Sequence, residues 1–321
     1  MTLTPASPPA TAPPNWVDNG NPLGWAIDRL LAIEPLRRLL FLQARQLIIR
    51  TAEQRGIAWR ERREQLRRQA EPLLAASTDP ATEIPAYYRA RFHAYQQGNL
   101  CWAAACEAEQ ATDSMALRVW PAESLAPAEA QTRLRTAIFA AIEPSLSRPV
   151  HDALDVGCSV GVGTLALKDW LDGREGGDVA VSGLDLSPEM LAVARVRDDG
   201  GRIRAWHHAA AEASGLPAAS FDLITLQFVC HELPSDATRA ILREMARLLR
   251  PGGVLALVDQ DPDSAVIRRL PAPIATLLKS TEPYLEAYFR LDLPAALAEA
   301  GFHGVRREAC DPRHRVLVAT R

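Results

Sequence analysis

Hydrophobic and polar residues alternate in two different rhythms along this chain. From Leu23 to about Ala75, Ile27, Leu30, Leu31, Leu36, Leu39 and Leu40 recur at roughly helical spacing with polar residues between them. Residues 77–84 (STDPATEI) are turn-like, and an aromatic cluster, YYRARFHAYQQGNLCW, fills residues 87–102. A helical stretch runs on to about Trp120. After a break at Pro121–Ala126, residues 127–142 (PAEAQTRLRTAIFAAI) read as one more helix. Hardly a β-like run occurs before residue 145. The rhythm then changes to short apolar runs separated by helical patterns. Strands are predicted over 152–156, 179–184, 202–206, 221–228 and 254–259. Helices are predicted from the glycine-rich loop after residue 156 to about Leu171, over 188–197 with Pro188 near the first turn, and over 235–249. In the last of these Ile241, Leu242, Met245, Leu248 and Leu249 form one face, Ser235 reads as the N-cap and Pro251-Gly252-Gly253 as the stop. Two adjacent strand-like runs, 303–310 and 314–320, joined by DPR, predict a terminal hairpin.

Alternating strand and helix in this order implies an α/β fold of Rossmann-like, doubly wound type. Its sheet is expected to be seven-stranded and mostly parallel, with a C-terminal antiparallel hairpin. An all-helical N-terminal domain precedes it. The expected division is a disordered Pro-rich tail over 1–18, a helical lid or substrate domain over 19–145 and a Rossmann-like domain over 146–321. Residues 1–15 hold five prolines and no hydrophobic period, which is why the tail is set apart.

Composition narrows the function. The chain has 321 residues, enough for a sizeable core, and a net charge of −3, which does not suit a polyanion binder. Ten arginines fall within 37–68 and read as a solvated helix face, since few aromatics interleave with them. The five cysteines, Cys101, Cys106, Cys158, Cys230 and Cys310, form no CxxC pair, which fits a reduced cytoplasm. No apolar run reaches the roughly 18 residues of a membrane span. The N-terminus lacks the basic and apolar regions of a signal peptide. The seven histidines (93, 151, 207, 208, 231, 303 and 314) show no HxxxH or HExxH spacing, so no catalytic metal is expected.

Three chemistries compete for residues 155–163, DVGCSVGVG. Gly157-Cys158-Ser159-Val160-Gly161 matches the G-x-S-x-G nucleophile elbow. Gly161-Val162-Gly163-Thr164-Leu165-Ala166 matches the G-x-G-x-x-A dinucleotide turn. Asp155-Val156-Gly157 with Gly161 and Gly163 looks like the first loop of S-adenosylmethionine (SAM) enzymes. An elbow follows several strands, whereas this loop follows the first, although Asp259 and His314 stand in the right order for a triad. The dinucleotide reading puts a glycine and two small polar residues at a buried strand end.

The SAM reading covers more of the chain. ALDVGCSVGVGTLAL, SGLDLSPEML, AAEASGLPAASFDLITLQFVCHELP and EMARLLRPGGVLALVDQDP resemble, in order, four motifs of the class I SAM-dependent methyltransferases. One departure is Ser159, where the family usually has its middle glycine; a serine fits there if its φ is ordinary. The resemblance implies SAM as cofactor. It places Asp155, Gly157, Ser159 and Gly161 at the methionine end and Asp185 at the ribose hydroxyls. Leu186, Ala211 and Glu212 fall at the adenine, and Gln227 and Phe228 line the crevice.

The substrate side rests on His231, directly after the fourth strand, as a possible general base. The aromatic cluster adds Tyr88, His93 and Tyr95 as catalytic candidates, because tyrosine faces hold a sulfonium by cation–π attraction. Asn99, Trp102, Tyr284 and Tyr288 are candidate substrate contacts. The cluster also resembles an FHAYxxGNLxW segment ahead of the SAM domain in some bacterial, algal and plant methyltransferases, and LLKSTEPYLEAYFRLDL and DPRHR resemble the tail of that group. The reaction implied is methyl transfer from SAM to a small-molecule acceptor, with no nucleic acid or membrane partner. Two alternatives stay open. One is an intramolecular SAM cyclase of the azetidine-2-carboxylate synthase type, with SAM as sole substrate. The other is a non-catalytic SAM-fold binding protein.

Overall fold

Strand β1 (Asp152–Val156) lies at the centre of the molecule, and all but its first residue is buried. A parallel strand covered on both faces needs apolar side chains on both, which is why DALDV shows no alternation. A computed structural model describes residues 13–14, 16–17, 29, 33–93 and 95–321. Most of the Pro-rich tail and the beginning of the predicted 23–75 helix therefore lie outside the described residues.

The other strands are β2 (Ala180–Asp185), β3 (Ala205–His208), β4 (Phe221–Gln227), β5 (Leu249–Gln260), β6 (His303–Ala309) and β7 (His314–Thr320). They form one seven-stranded sheet in the order β3-β2-β1-β4-β5-β7-β6. The first five are mutually parallel, and β7 runs antiparallel to both β5 and β6. The doubly wound sheet and its antiparallel C-terminal pair match the expectation. The strand order reverses between β1 and β4, so a crevice opens there at the carboxyl ends of the strands.

Eleven α-helices are described: α1 (Glu34–Gln54), α2 (Trp59–Ala70), α3 (Trp102–Val119), α4 (Pro127–Ile142), α5 (Val162–Glu175), α6 (Pro188–Arg197), α7 (Ser235–Leu248), α8 (Ala265–Arg268), α9 (Ala272–Thr281), α10 (Leu285–Arg290) and α11 (Leu293–Glu299). α4 starts on proline, and Glu129 accepts a hydrogen bond from the Ala126 amide at 2.8 Å, closing its first turn. Its buried face, Leu134, Ile138, Phe139 and Ile142, joins one apolar cluster with Trp59, Ala153, Leu167 and Val258. The helices before the sheet therefore share a core with it. Phe139 stacks on Trp170 of α5 with centroids 4.7 Å apart. Such a pair adds about 1 kcal/mol beyond burial.

Several expected boundaries move. The helical pattern of the first segment is carried by two helices: Gly56 at φ +87° ends α1, and α2 starts afresh at Trp59. The predicted 202–206 strand sits at 205–208. α7 is capped by Pro234 rather than Ser235, and it gives way directly to β5 at Leu249, so the Pro-Gly-Gly lies within a strand. The aromatic stretch forms no helix: a 3₁₀ turn spans Ala86–Arg89, followed by turns around a Phe92–Tyr95 bridge. Its flanks fasten it along the carboxyl edge of the sheet, where Thr82 donates to the His208 carbonyl at 2.7 Å.

Candidate functional site

The loop after β1 is shaped by space as well as by dihedral angle. Gly157 and Gly161 adopt φ of +69° and +78°. A Cβ on Gly157 would stand 2.5 Å from Val229 Cγ2, and one on Gly161 2.7 Å from the Trp206 ring. Both positions accept only glycine. Ser159 also lies in the left-handed region, at φ +49°. The sequence reading required an ordinary φ for a serine here, so that expectation is corrected. An L side chain in this region costs roughly 1–2 kcal/mol. Its amide donates to Asp185 Oδ2 at 2.8 Å and its hydroxyl to Met190 Sδ at 3.3 Å, which hold the conformation.

Asp185 ends β2 and is buried. Its Oδ1 accepts from the Ser187 amide at 2.9 Å and faces the Tyr88 hydroxyl at 3.4 Å. Burial pushes its pKa up, against the pull of those amides. Asp155 ends inward too. It accepts from Thr164 and Thr225 at 2.7 Å each and from Gln227 Nε2 at 3.3 Å, tying β1 to α5 and β4. Gln227 in turn accepts from Arg135 of α4 at 2.5 Å. Arg135 is buried, its Nε has no hydrogen-bond partner among the described residues, and burial pushes its pKa down to about 10. Phe228 follows at φ +63°, its ring 5.0 Å from His314 and 5.8 Å from the Arg135 guanidinium carbon. Strain of this kind costs about 1–3 kcal/mol and collects at functional sites. Leu186 is buried, and Glu212 accepts from the Tyr87 hydroxyl at 2.8 and 3.0 Å. Burial and then Glu212 drive the Tyr87 pKa up.

A second constellation lies past the ends of β4 and β5. His231 sits in a 3₁₀ turn (Cys230–Glu232) and is buried. Its Nδ1 lies 2.8 Å from Asp259 Oδ1, and its amide donates to Asp259 Oδ2 at 3.1 Å. Its Nε2 lies 3.3 Å from Glu282 Oε2. His93 Nε2 stands 3.4 Å from both Glu282 Oε1 and Glu232 Oε1. Asn99 donates to Glu232 Oε2 at 2.8 Å. Burial opposes a charge on His231, but Asp259 and Glu282 outweigh it and push its pKa up to about 10. The imidazole is therefore charged at neutral pH and accepts no proton until something displaces the one it holds. Burial pushes Glu232 up, which makes it the better proton acceptor of the group.

A methyltransferase-domain family profile matches residues 153–253, the segment that carries the loop, Asp185 and His231. The chain is 37% identical over 155 residues to methyltransferase GfsG of Streptomyces halstedii, covering 46% of this chain and 51% of that protein. It is 33% identical over 188 residues to the ubiquinone/menaquinone biosynthesis C-methyltransferase UbiE of Methylobacterium nodulans, covering 52% of this chain and 71% of that one. The chain belongs to the class I SAM-dependent methyltransferases. It spans about half the length of several curated relatives it matches. Among solved structures, the CurJ carbon methyltransferase overlaps 79% of this chain and 70% of its own at 18% identity, with a TM-score of 0.46.

In this methyltransferase the aromatic cluster is split. Tyr88, His93 and Asn99 meet the two constellations above. Tyr95 does not: its hydroxyl donates to Glu107 of α3 at 2.6 Å. Trp102 lies under the Arg67 guanidinium at 4.5 Å. Both line a surface cavity of about 470 Å³ that none of Asp155, Asp185 or His231 borders. Tyr284 donates to the Tyr87 carbonyl at 3.3 Å, and Tyr288 to the Gln260 carbonyl at 2.6 Å, so their hydroxyls serve the backbone. Ala211 lies between Ala210 and Ala213, which bridge, beside a second cavity of about 550 Å³. Three arginines of α1 and α2 meet acids of α3: Arg45 and Arg63 reach Glu107, and Arg62 reaches Glu109. Among the described residues no helix is long and apolar enough to cross a membrane.

Sequence reasoning missed Arg135 and Glu282 and treated Asp259 only as a hydrolase triad partner. Arg135 sits in an apolar helix pattern and gives no signal. Glu282 lies inside the LLKSTEPYLEAYFRLDL segment, which was its one available flag.

Proposed function

We infer that this methyltransferase transfers the methyl group of SAM to a small-molecule acceptor. The observation that carries the reading is Asp185 at the end of β2, buried beside the glycine loop at the strand-order reversal. A carboxylate there accepts hydrogen bonds from two ribose hydroxyls while the loop amides approach the methionine end. Asp155, packed between Thr164 and Thr225, holds that loop in place rather than meeting solvent. Arg135, with its unpaired Nε, supplies a counter-charge for the cofactor's carboxylate. Glu212 and Leu186 serve the adenine.

The sulfonium is an activated leaving group, so alignment and exclusion of water are the main demands. Tyr88 bridges toward Asp185 from the same segment that carries His93 and Asn99. That segment is the lid in this reading, covering the cofactor while Glu232 and His231 face the acceptor. Methyltransferase names run through the relatives, and the cyclase alternative draws no support from them.

The test is mass spectrometry of the purified protein with SAM, first alone and then with hydroxyl, amine and carbon acceptors. S-adenosylhomocysteine appearing only with an acceptor supports the reading. Methylthioadenosine appearing without one overturns it, and calorimetry showing no SAM binding supports the non-catalytic alternative.

A further inference from the structure

The cluster at the acceptor end holds more than a proton. Among the described residues, one ligand atom each from His93, His231 and Glu282 lie within 4.8 Å of one another. We propose that these three side chains form a binding site for a single first-row divalent metal ion of the zinc class. The inference stands independently of the methyl-transfer reading, because it concerns ion binding alone.

Four observations carry it. The first is spacing. Nitrogen and oxygen ligands about 2.0–2.2 Å from a tetrahedral ion stand roughly 3.3–3.5 Å from each other. His231 Nε2 stands 3.3 Å from Glu282 Oε2 and His93 Nε2 3.4 Å from Oε1, so each imidazole meets a different oxygen of the one carboxylate, and one atom from each residue lies within 4.8 Å of the others. The second is orientation. Asp259 engages Nδ1 of His231 at 2.8 Å and its backbone amide at 3.1 Å, which fixes the ring and aims Nε2 at Glu282. A carboxylate behind a ligating imidazole is how proteins set the tautomer and raise the basicity of a metal-binding histidine.

The third observation is a crowded buried carboxylate. Glu282 is only 8% exposed, and among the described residues its Oε2 makes no regular hydrogen bond, only the 3.3 Å approach to His231 Nε2. A buried carboxylate oxygen without a well-aligned donor is costly unless something else fills the position, and an ion there would displace the proton that His231 otherwise holds. The fourth is backbone strain. His93 is held at φ +50°, and its amide donates to the Thr281 carbonyl at 3.0 Å. That bond pins the segment carrying one ligand to the residue beside another. Two imidazoles and a carboxylate, with no thiolate, suit zinc and its neighbours rather than calcium or magnesium. Glu232 Oε1, 3.4 Å from His93 Nε2, is a further carboxylate beside the three.

The competing account is a closed network of imidazoles and carboxylates that needs no ion. The full chain, stripped with chelator and then freed of it, is titrated with Zn²⁺ by calorimetry and with Co²⁺ by visible absorption. The proposal expects one ion per chain and the visible bands of tetrahedral Co²⁺. His93→Ala and Glu282→Gln should each weaken Zn²⁺ binding at least tenfold, and Asp259→Asn by about 10–100-fold. His93 stands between Glu232 and Glu282, so the thermal melt of each variant is measured in chelator, which reads any folding effect apart from loss of the ion. His303→Ala, on exposed β6, is the control and should leave binding intact. Sub-stoichiometric binding, or Zn²⁺ affinity unchanged in His93→Ala, overturns the site. SAM affinity measured on the same samples keeps a failure here separate from a failure of the methyl-transfer reading.

Discussion

The two halves of the cleft are built in opposite ways. The half at β1 and β2 comes from one βαβ unit: Asp155, the loop through Gly161, Thr164 and Asp185 lie within about thirty residues, and backbone amides make many of its contacts. The half beyond β4 and β5 is assembled from four separate segments, which bring His93, His231, Asp259 and Glu282 together through side chains. The first is a shape that glycine permits. The second is a charge balance that only the finished fold creates. Damage to the first should therefore show in stability and cofactor affinity together. Damage to the second should show in pH response and ion binding, with SAM affinity spared.

The largest effect should come from Gly161→Ala. Its Cβ would meet the Trp206 ring and its φ is positive, so a loss of about 2–4 kcal/mol in denaturant unfolding is expected, with SAM binding abolished. Wild-type stability in this variant would falsify the account of the loop. Next comes Asp185→Asn, which keeps the shape but removes the charge. Calorimetry should show SAM affinity down about 10–100-fold, while Glu282→Gln changes it less than threefold. Equal losses in the two variants would erase the distinction between the halves.

The third prediction concerns pH. His231 has its folded-state pKa raised to about 10, against about 6.5 in an unfolded chain. Its contribution to stability is thus complete below about pH 6.5 and is lost as pH rises through about 10. Asp259, Glu282, Glu232 and the Tyr288 ring face it, and His93, whose pKa Glu282 and Glu232 raise to about 9 against the pull of burial, titrates in the same window. In chelator, the melting temperature should fall by a few degrees between pH 7 and 10. His231→Gln should reduce that slope and leave the part due to His93, which ends near pH 9; a variant with the wild-type slope would show that the charge resides elsewhere. The smallest effect is Ser159→Gly. Relief of a left-handed serine should raise stability by up to about 1 kcal/mol and leave SAM affinity unchanged. A clear loss would mean that the Met190 contact matters more than the strain.

The same contrast explains what could be read before the fold was known. Gly157, Gly161 and Asp185 were legible because, in a βαβ unit, neighbours in sequence are neighbours in space. The parallel sheet and its terminal hairpin were legible from hydrophobic rhythm for the same reason. The φ of Ser159 was not, since a serine carries no mark of the left-handed region. Tyr95 and Trp102 drew notice through aromatic density, yet density does not say which side of a turn faces the cleft. The His93–His231–Glu282 grouping has no spacing signature, because its members come from three distant stretches of the chain.

The two tyrosine hydroxyls occupy the acids that the proposed reading gives to the cofactor. Tyr87 rests on Glu212 and Tyr88 on Asp185, the acids assigned to adenine and ribose. On that reading each arriving cofactor takes over those partners, and each departing product hands them back. The dwell time of the spent nucleoside, rather than the methyl step, is then the quantity that trimming either tyrosine to phenylalanine would change first.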